Sequence, residues 1–186
     1  MQVDLGRWLS LVTRDSVRSA VARVETVDLT VLSEHRLHAD DLLHWSYAVR
    51  QGDDDVRRSC DGRELVQPTA NGKPVRSQVP TEQIGDDPWY FYSWPGVVDA
   101  WFVEMLRPVD LLARIVVSAV AGPDDAGLIR ITATPMGNEP SPYNGFAVPD
   151  GRSLRLVLDV ERGCLLTVTV DRAGGPTLTH RLTEVT

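Results

Sequence analysis

Apolar and polar residues alternate with a period of two along much of this chain, the mark of strands that bury one face. The pattern is clearest toward the C-terminus. Leu154, Leu156, Leu158 and Val160 alternate there with Arg155 and Asp159, and Leu166, Val168 and Val170 with Leu165, Thr167 and Thr169. A last run sets Leu178, His180, Leu182 and Glu184 against Thr179, Arg181, Thr183 and Val185. The turns between them, Glu161-Arg162-Gly163 and Gly174-Gly175, are so short that neighbours must pair antiparallel. Upstream, Ile129, Ile131 and Ala133 share one face of a strand over 128–134, and β-branched residues fill 116–120. Leu43, Trp45, Tyr47 and Val49 share a face opposite His44, Ser46, Ala48 and Arg50. Val27, Leu29 and Val31, alternating with Asp28 and Thr30, predict a further half-buried strand. Asp61-Gly62 and Asn71-Gly72 accept the positive φ of tight hairpins, so 56–60, 63–67 and 74–79 read as a meander of short strands.

The period changes in the stretch 88–115. It holds Trp89, Tyr90, Phe91, Tyr92, Trp94, Trp101 and Phe102, seven of the twelve aromatic residues in the chain (5 Trp, 4 Tyr and 3 Phe). Val97, Val98, Trp101, Phe102, Met105 and Leu106 form one broad apolar stripe on a helix, with Asp99, Glu104 and Arg107 on the remainder. Pro108 stops or kinks that helix, and Leu111, Leu112 and Ile115 form the face of a second short turn. Another amphipathic helix opens the chain over 3–13, with Leu5, Trp8, Leu9 and Val12 on its apolar face. The prolines and glycines of 135–152 make a long irregular connection, long enough to be a functional flap.

Helices of this kind need an oily surface, which the strands supply, so the chain reads as a curved sheet with a helical plug. Two readings of the aromatics stand. All seven are core, or a subset led by Trp45, Tyr47, Trp94, Trp101 and Phe102 lines an apolar pocket for a hydrophobic ligand.

Composition adds mostly exclusions. A net charge of −7 and a pI near 5.0 argue against a nucleic-acid footprint. The N-terminal residues lack the basic and apolar regions of a secretory signal, and no run approaches a membrane span, so a soluble cytoplasmic protein is expected. Cys60 and Cys164 stand outside any metal-binding or disulfide spacing. Cys60 follows two arginines that could lower its pKa, but it reads first as a plain strand-end cysteine, with a reactive thiol as the alternative. His35, His38 and His44, with Asp40 and Asp41 nearby, read as polar edge residues rather than metal ligands. His180 reads as a satisfied core histidine or, alternatively, a proton donor in a cavity. No phosphate loop, nucleophile elbow or zinc-protease motif is present, and no catalytic residue, metal site or cofactor is expected.

The second half of the chain carries LRPVDLLARI, LIRITATPM, SLRLVLDVERGCLLTVTV and LTHRLTEVT in that order. This succession resembles actinobacterial proteins of the LolA-like lipoprotein-carrier group, whose relatives include LppX and the RseB sensor. The resemblance covers about 106–186 and implies an incomplete antiparallel barrel whose cavity takes acyl chains. Exported members carry a signal or lipobox cysteine and this sequence has neither, so the cavity is the part that carries over.

Together these readings predict one α+β domain over 1–186. Its core is a strongly curved antiparallel β-sheet, a half-barrel, with short helices plugging the open side. The expected partner is a hydrophobic small molecule or acyl chain, bound as by a carrier or sensor. An enzyme that cyclises or isomerises such a substrate is the alternative. The sequence leaves the oligomeric state open.

Overall fold

The computed structural model describes residues 19–69, 73–81, 88–137 and 144–186. Eleven strands form one open antiparallel sheet. The first six are β1 (Ser19–Thr26), β2 (Val31–Ala39), β3 (His44–Gln51), β4 (Asp54–Asp61), β5 (Glu64–Pro68) and β6 (Pro74–Gln78). A helical segment follows: the 3-10 turn η1 (Pro88–Phe91), then α1 (Trp94–Val97), α2 (Ala100–Leu106) and α3 (Val109–Leu112). The chain ends with β7 (Ile115–Ala121), β8 (Leu128–Pro135), β9 (Ser153–Asp159), β10 (Cys164–Asp171) and β11 (Leu178–Val185).

The spatial order is β6-β5-β4-β3-β2-β1-β11-β10-β9-β8-β7. From β1 at the centre of the sheet the chain steps outward to one edge, and reappears at the other edge to step back in. β11 then closes on β1. The helical segment is therefore the connection between the two edges, and it must cross one face of the sheet. His35 of β2 and Tyr47 of β3 lie 6.3 and 5.9 Å from the Phe102 ring, and His180 of β11 lies 4.7 Å from Trp101. Strands stand about 4.8 Å apart, and a helix with its side chains is about 10 Å wide. The sheet has to curve around α2 for all of these to touch it.

The core lies in that concavity. Leu154, Leu156 and Leu158 of β9, Ile131 and Ala133 of β8, and Trp45 and Tyr47 of β3 face it as their alternation predicts. The helical segment contributes Phe102, Met105, Leu106 and Leu111. β1, at the centre, presents the small residues Ala20 and Ala22. No helix among the described residues is long and apolar enough to cross a membrane.

Several expectations need correction. Val27, Leu29 and Val31 do not share a strand: 27–30 is the turn between β1 and β2, Val31 opens β2, and Leu29 is 69% exposed at φ 65°. The Asp28 carboxylate accepts bonds from the Thr26 and Thr30 hydroxyls, a local competition that ends the ladder despite favourable alternation. In β10 a register shift between Leu165 and Thr167 turns Leu165 into the core beside Val168 and Val170, leaving Leu166 half-buried. The single helix expected from Val97 onward is two, because Val98 is extended between α1 and α2. Cys60 is buried, and burial raises its thiol pKa rather than favouring the thiolate. The opening helix over 3–13 and the Asn71-Gly72 turn lie outside the described residues, as does 138–143 of the long connection.

Candidate functional site

The crossing segment is fastened to β3 and β4 by hydrogen bonds at successive points. The backbone N–H of Trp94 donates to the carbonyl of Leu42 at 3.1 Å, and the Trp45 indole N–H donates to the carbonyl of Tyr92 at 2.9 Å. Arg58 donates to the carbonyl of Val97 at 3.2 Å. Tyr47 donates its hydroxyl proton to the Asp99 carboxylate at 2.9 Å. With that proton committed, the Tyr47 oxygen accepts from His35 Nδ1 at 2.7 Å, and His35 Nε2 accepts from the Ser33 hydroxyl at 2.8 Å. Arg58 stands 3.7 Å from the other Asp99 oxygen.

This chain of five groups is buried at its middle, where His35 is 4% exposed. Burial pushes the Tyr47 phenol far above its ordinary value, and the Asp99 charge adds to the effect. Burial also works to raise Asp99, but the bonds from His35 and Tyr47 outweigh it, so its carboxyl stays below the usual range and ionised. The order serine, histidine, acid is that of a nucleophilic triad. Here His35 Nδ1 makes its shorter bond to Tyr47 and lies 3.3 Å from Asp99, so the set acts as a tether between sheet and helices.

Aromatic rings fill the space around it. Tyr47 and Phe102 stack, Trp101 lies 5.5 Å from Phe102, and the His35 ring meets Trp101 edge-on at 4.7 Å. On the far side, α2 holds the 144–152 loop. Glu104, 3% exposed, accepts the Phe146 backbone N–H at 2.7 Å, while its other oxygen has no partner among the described residues. Burial pushes this carboxyl up to about 7. Arg152 of the loop, also buried, bonds to Asp150 and draws that carboxyl down to about 2.

Two hollows flank the crossing. A groove of about 830 Å³ runs along its outer side, lined by Arg58, Gln67, Pro68, Tyr90, Phe91, residues 95–100 and Asn144. Tyr90 and Phe91 stand on its rim, 51% and 71% exposed. A smaller cavity of about 120 Å³ lies between Trp101, the 144–152 loop and strands β10 and β11.

Of the five predicted pocket residues, the fold brings Tyr47, Trp101 and Phe102 together around His35. Trp45 and Trp94 lie at the start of the crossing, buried and bonded to its backbone or to the sheet. Trp101, half-buried, borders the smaller cavity. Sequence reasoning gave no site role to His35, Asp99, Arg58, Glu104 or Phe146. His35 was expected at a polar edge and is interior. The available signal was its placement two residues from Leu37, which puts both on one strand face. Asp99 and Glu104 were expected on the polar remainder of a helix and instead bond inward. Among the described residues no group of three or more histidines, cysteines or carboxylates could hold a metal ion.

No family model matches the chain, and none of the curated proteins compared matches it. Among solved structures it is similar to a crystal structure of MucB, with TM-score 0.48 and 16% identity over 100% of this chain. It spans 59% of the length of that MucB chain. The MucA/MucB complex of Pseudomonas aeruginosa gives TM-score 0.46 and 16% identity, covering 99% of this chain and 57% of the other. A putative lipoprotein from Parabacteroides distasonis gives 0.34 and 7%, covering 90% and 94% of the two chains.

Proposed function

We propose that this protein binds a hydrophobic ligand, acyl- or polyketide-like, as a carrier or sensor rather than as an enzyme. The ligand lies in the groove along the crossing segment. The observation that carries the reading is the exposed pair Tyr90 and Phe91, rings 5.9 Å apart, on the rim of an 830 Å³ groove. That volume is in the range of small-molecule sites, and the groove sets Tyr90, Phe91, Pro95, Val97 and Val98 beside the polar Arg58, Gln67, Asp99 and Asn144. Among the described residues Arg58 is the cation lining the groove, and it would be shared between Asp99, 3.7 Å away, and the carboxylate head group of a ligand. Trp45, Tyr47, Trp94, Trp101 and Phe102 form the aromatic support beneath it.

The alternative, cyclisation or isomerisation of the ligand, needs a free acid or base in the groove. Asp99 is the carboxylate there, and it is already held by Tyr47 and His35.

Titration with a panel of fatty acids and fluorescent hydrophobes, followed by tryptophan emission, tests the proposal. Binding is expected, weakened about ten-fold by Phe91→Ala and by Arg58→Ala, which is about 1.4 kcal/mol each. A panel in which no compound binds defeats it.

A further inference from the structure

The two edges of the sheet are finished differently. β6 is five residues long, opens on Pro74, which has no N–H to offer, and pairs Arg76 with Glu64. β7 is seven residues long and runs IVVSAVA, with neither a charge nor a proline. No strand among the described residues pairs with its outer side, which keeps a row of backbone N–H and C=O groups without a ladder. A bulge is the one edge-blunting device it carries. Ser118 is the extra residue there, and its hydroxyl donates to the Thr132 carbonyl at 3.1 Å.

The side chains of β7 continue the core face beyond its cover. Val117 and Val120 stand opposite Ala133 and Ile131 of β8, which are buried in the concavity, yet the two valines are 45% and 62% exposed. Val116, Ala119 and Ala121 stand opposite Thr134, Thr132 and Arg130, on the outer face.

We propose that β7 is a self-association edge: two copies of this chain pair β7 with β7, antiparallel, about a two-fold axis between Ser118 and Ala119.

Three features select a second copy. Unpaired ladder groups call for a strand, and a strand without charges meets none when it faces itself. The faces also match in this register. Val117 falls opposite the partner's Val120 on the concave side, Val116 opposite the partner's Ala121 on the outer side, and the two bulges meet at the axis. The ends are complementary as well: exposed Arg114 precedes β7 and exposed Asp125 follows it. Antiparallel pairing brings the basic end of each copy beside the acidic turn of the other, whereas parallel pairing would place like beside like. β6 offers none of this, since pairing it with itself about its middle residue sets Arg76 against Arg76. A contact of one strand pair is smaller than the roughly 1,200 Å² of a standard interface, so the dimer is expected to be weak. The proposal does not depend on what the groove binds.

Sedimentation equilibrium of the whole chain, from low-micromolar to near-millimolar concentration, tests it. The wild type is expected to pass from monomer to dimer and go no further, because a two-fold contact closes on itself. Val117→Glu and Val120→Lys are each expected to weaken association about ten-fold, while Val27→Lys, on the exposed β1–β2 turn, leaves it unchanged. Combining Val117→Glu with Val120→Lys is expected to restore association, since the two new charges then oppose each other across the axis. Thermal unfolding shows whether the variants fold; if they do not, the wild-type series decides alone. A wild type that stays monomeric throughout overturns the proposal and leaves the edge to a strand from another protein. A double variant no better than the single ones overturns the register, and with it the two-fold pairing. Equal weakening by Val27→Lys places the contact elsewhere and overturns it too.

Discussion

The two halves of the sheet hold the same crossing segment by different means. On the side of β9 and β10 the grip is apolar: Leu154, Leu156, Leu158, Leu165 and Val168 are all buried against it, and α2 packs on β10. On the side of β2, β3 and β4 it is a set of individual bonds from Trp45, Tyr47, His35 and Arg58. Apolar packing is strong and non-directional; it holds the segment down without fixing where along the strand it lies. A hydrogen bond adds about 1 kcal/mol but only at one geometry. One half therefore supplies the stability of the crossing and the other its register.

Replacement in the apolar half gives the largest expected effect. Leu156→Ala is expected to cost about 2–5 kcal/mol in denaturant unfolding, while Leu156→Met costs less than about 1.5. Equal losses from the two would contradict a non-directional grip.

Next in size is the pH dependence of the two buried titratable groups beside this packing. Glu104 keeps its proton in the folded state up to about 7, whereas unfolded it loses it near 4.5. Stability from this group is present below about 4.5 and is lost as pH rises to about 7, about 3 kcal/mol at most. His180 acts oppositely. Folded, it refuses a proton down to about 4, whereas unfolded it takes one near 6.5, so stability falls as pH drops through that window. The two slopes oppose each other between about 4.5 and 6.5. In thermal melts across that range, Glu104→Gln should expose the loss on acidification, and His180→Phe the gain. A wild-type slope that both variants leave intact would rule out this pairing.

In the polar half, Tyr47→Phe is expected to cost about 1–3 kcal/mol although it removes a single oxygen, because Asp99 loses a donor and His35 Nδ1 is left with only the longer contact to Asp99 at 3.3 Å. That loss should exceed the one from Leu156→Met, the conservative change on the other side. The smallest effect belongs to the β1–β2 turn, where Leu29→Ser should stay within about 0.5 kcal/mol.

The same division explains how much was legible beforehand. The antiparallel sheet followed from alternation, since Leu154, Leu156 and Leu158 bury in sequence step with the pleat, and the short helices from the break in that period. Alternation failed where a local side chain or a bulge competed, at Asp28 and between Leu165 and Thr167. The site was legible only in part. Of the five aromatics expected to line a pocket, Tyr47, Trp101 and Phe102 meet one another. His35 and Arg58 join them because the pairing of β2, β3 and β4 sets both beside Tyr47, and the crossing segment carries Asp99 to them; no linear period encodes that. The groove is lined largely by residues 95–100, the end of α1, the extended link after it and the start of α2, with no repeating pattern to mark it.

The seam between β1 and β11 carries a kinetic consequence. Each meander grows by hairpins between neighbours in sequence, contacts that close in microseconds. The seam joins groups 162 residues apart, as in the bond from Thr183 to Val21, and gains nothing until the intervening chain has been ordered or looped out. Such non-local pairing places a fold among the slow folders at any given stability. Until β11 arrives, β1 presents an unpaired strand edge at what will become the centre of the sheet.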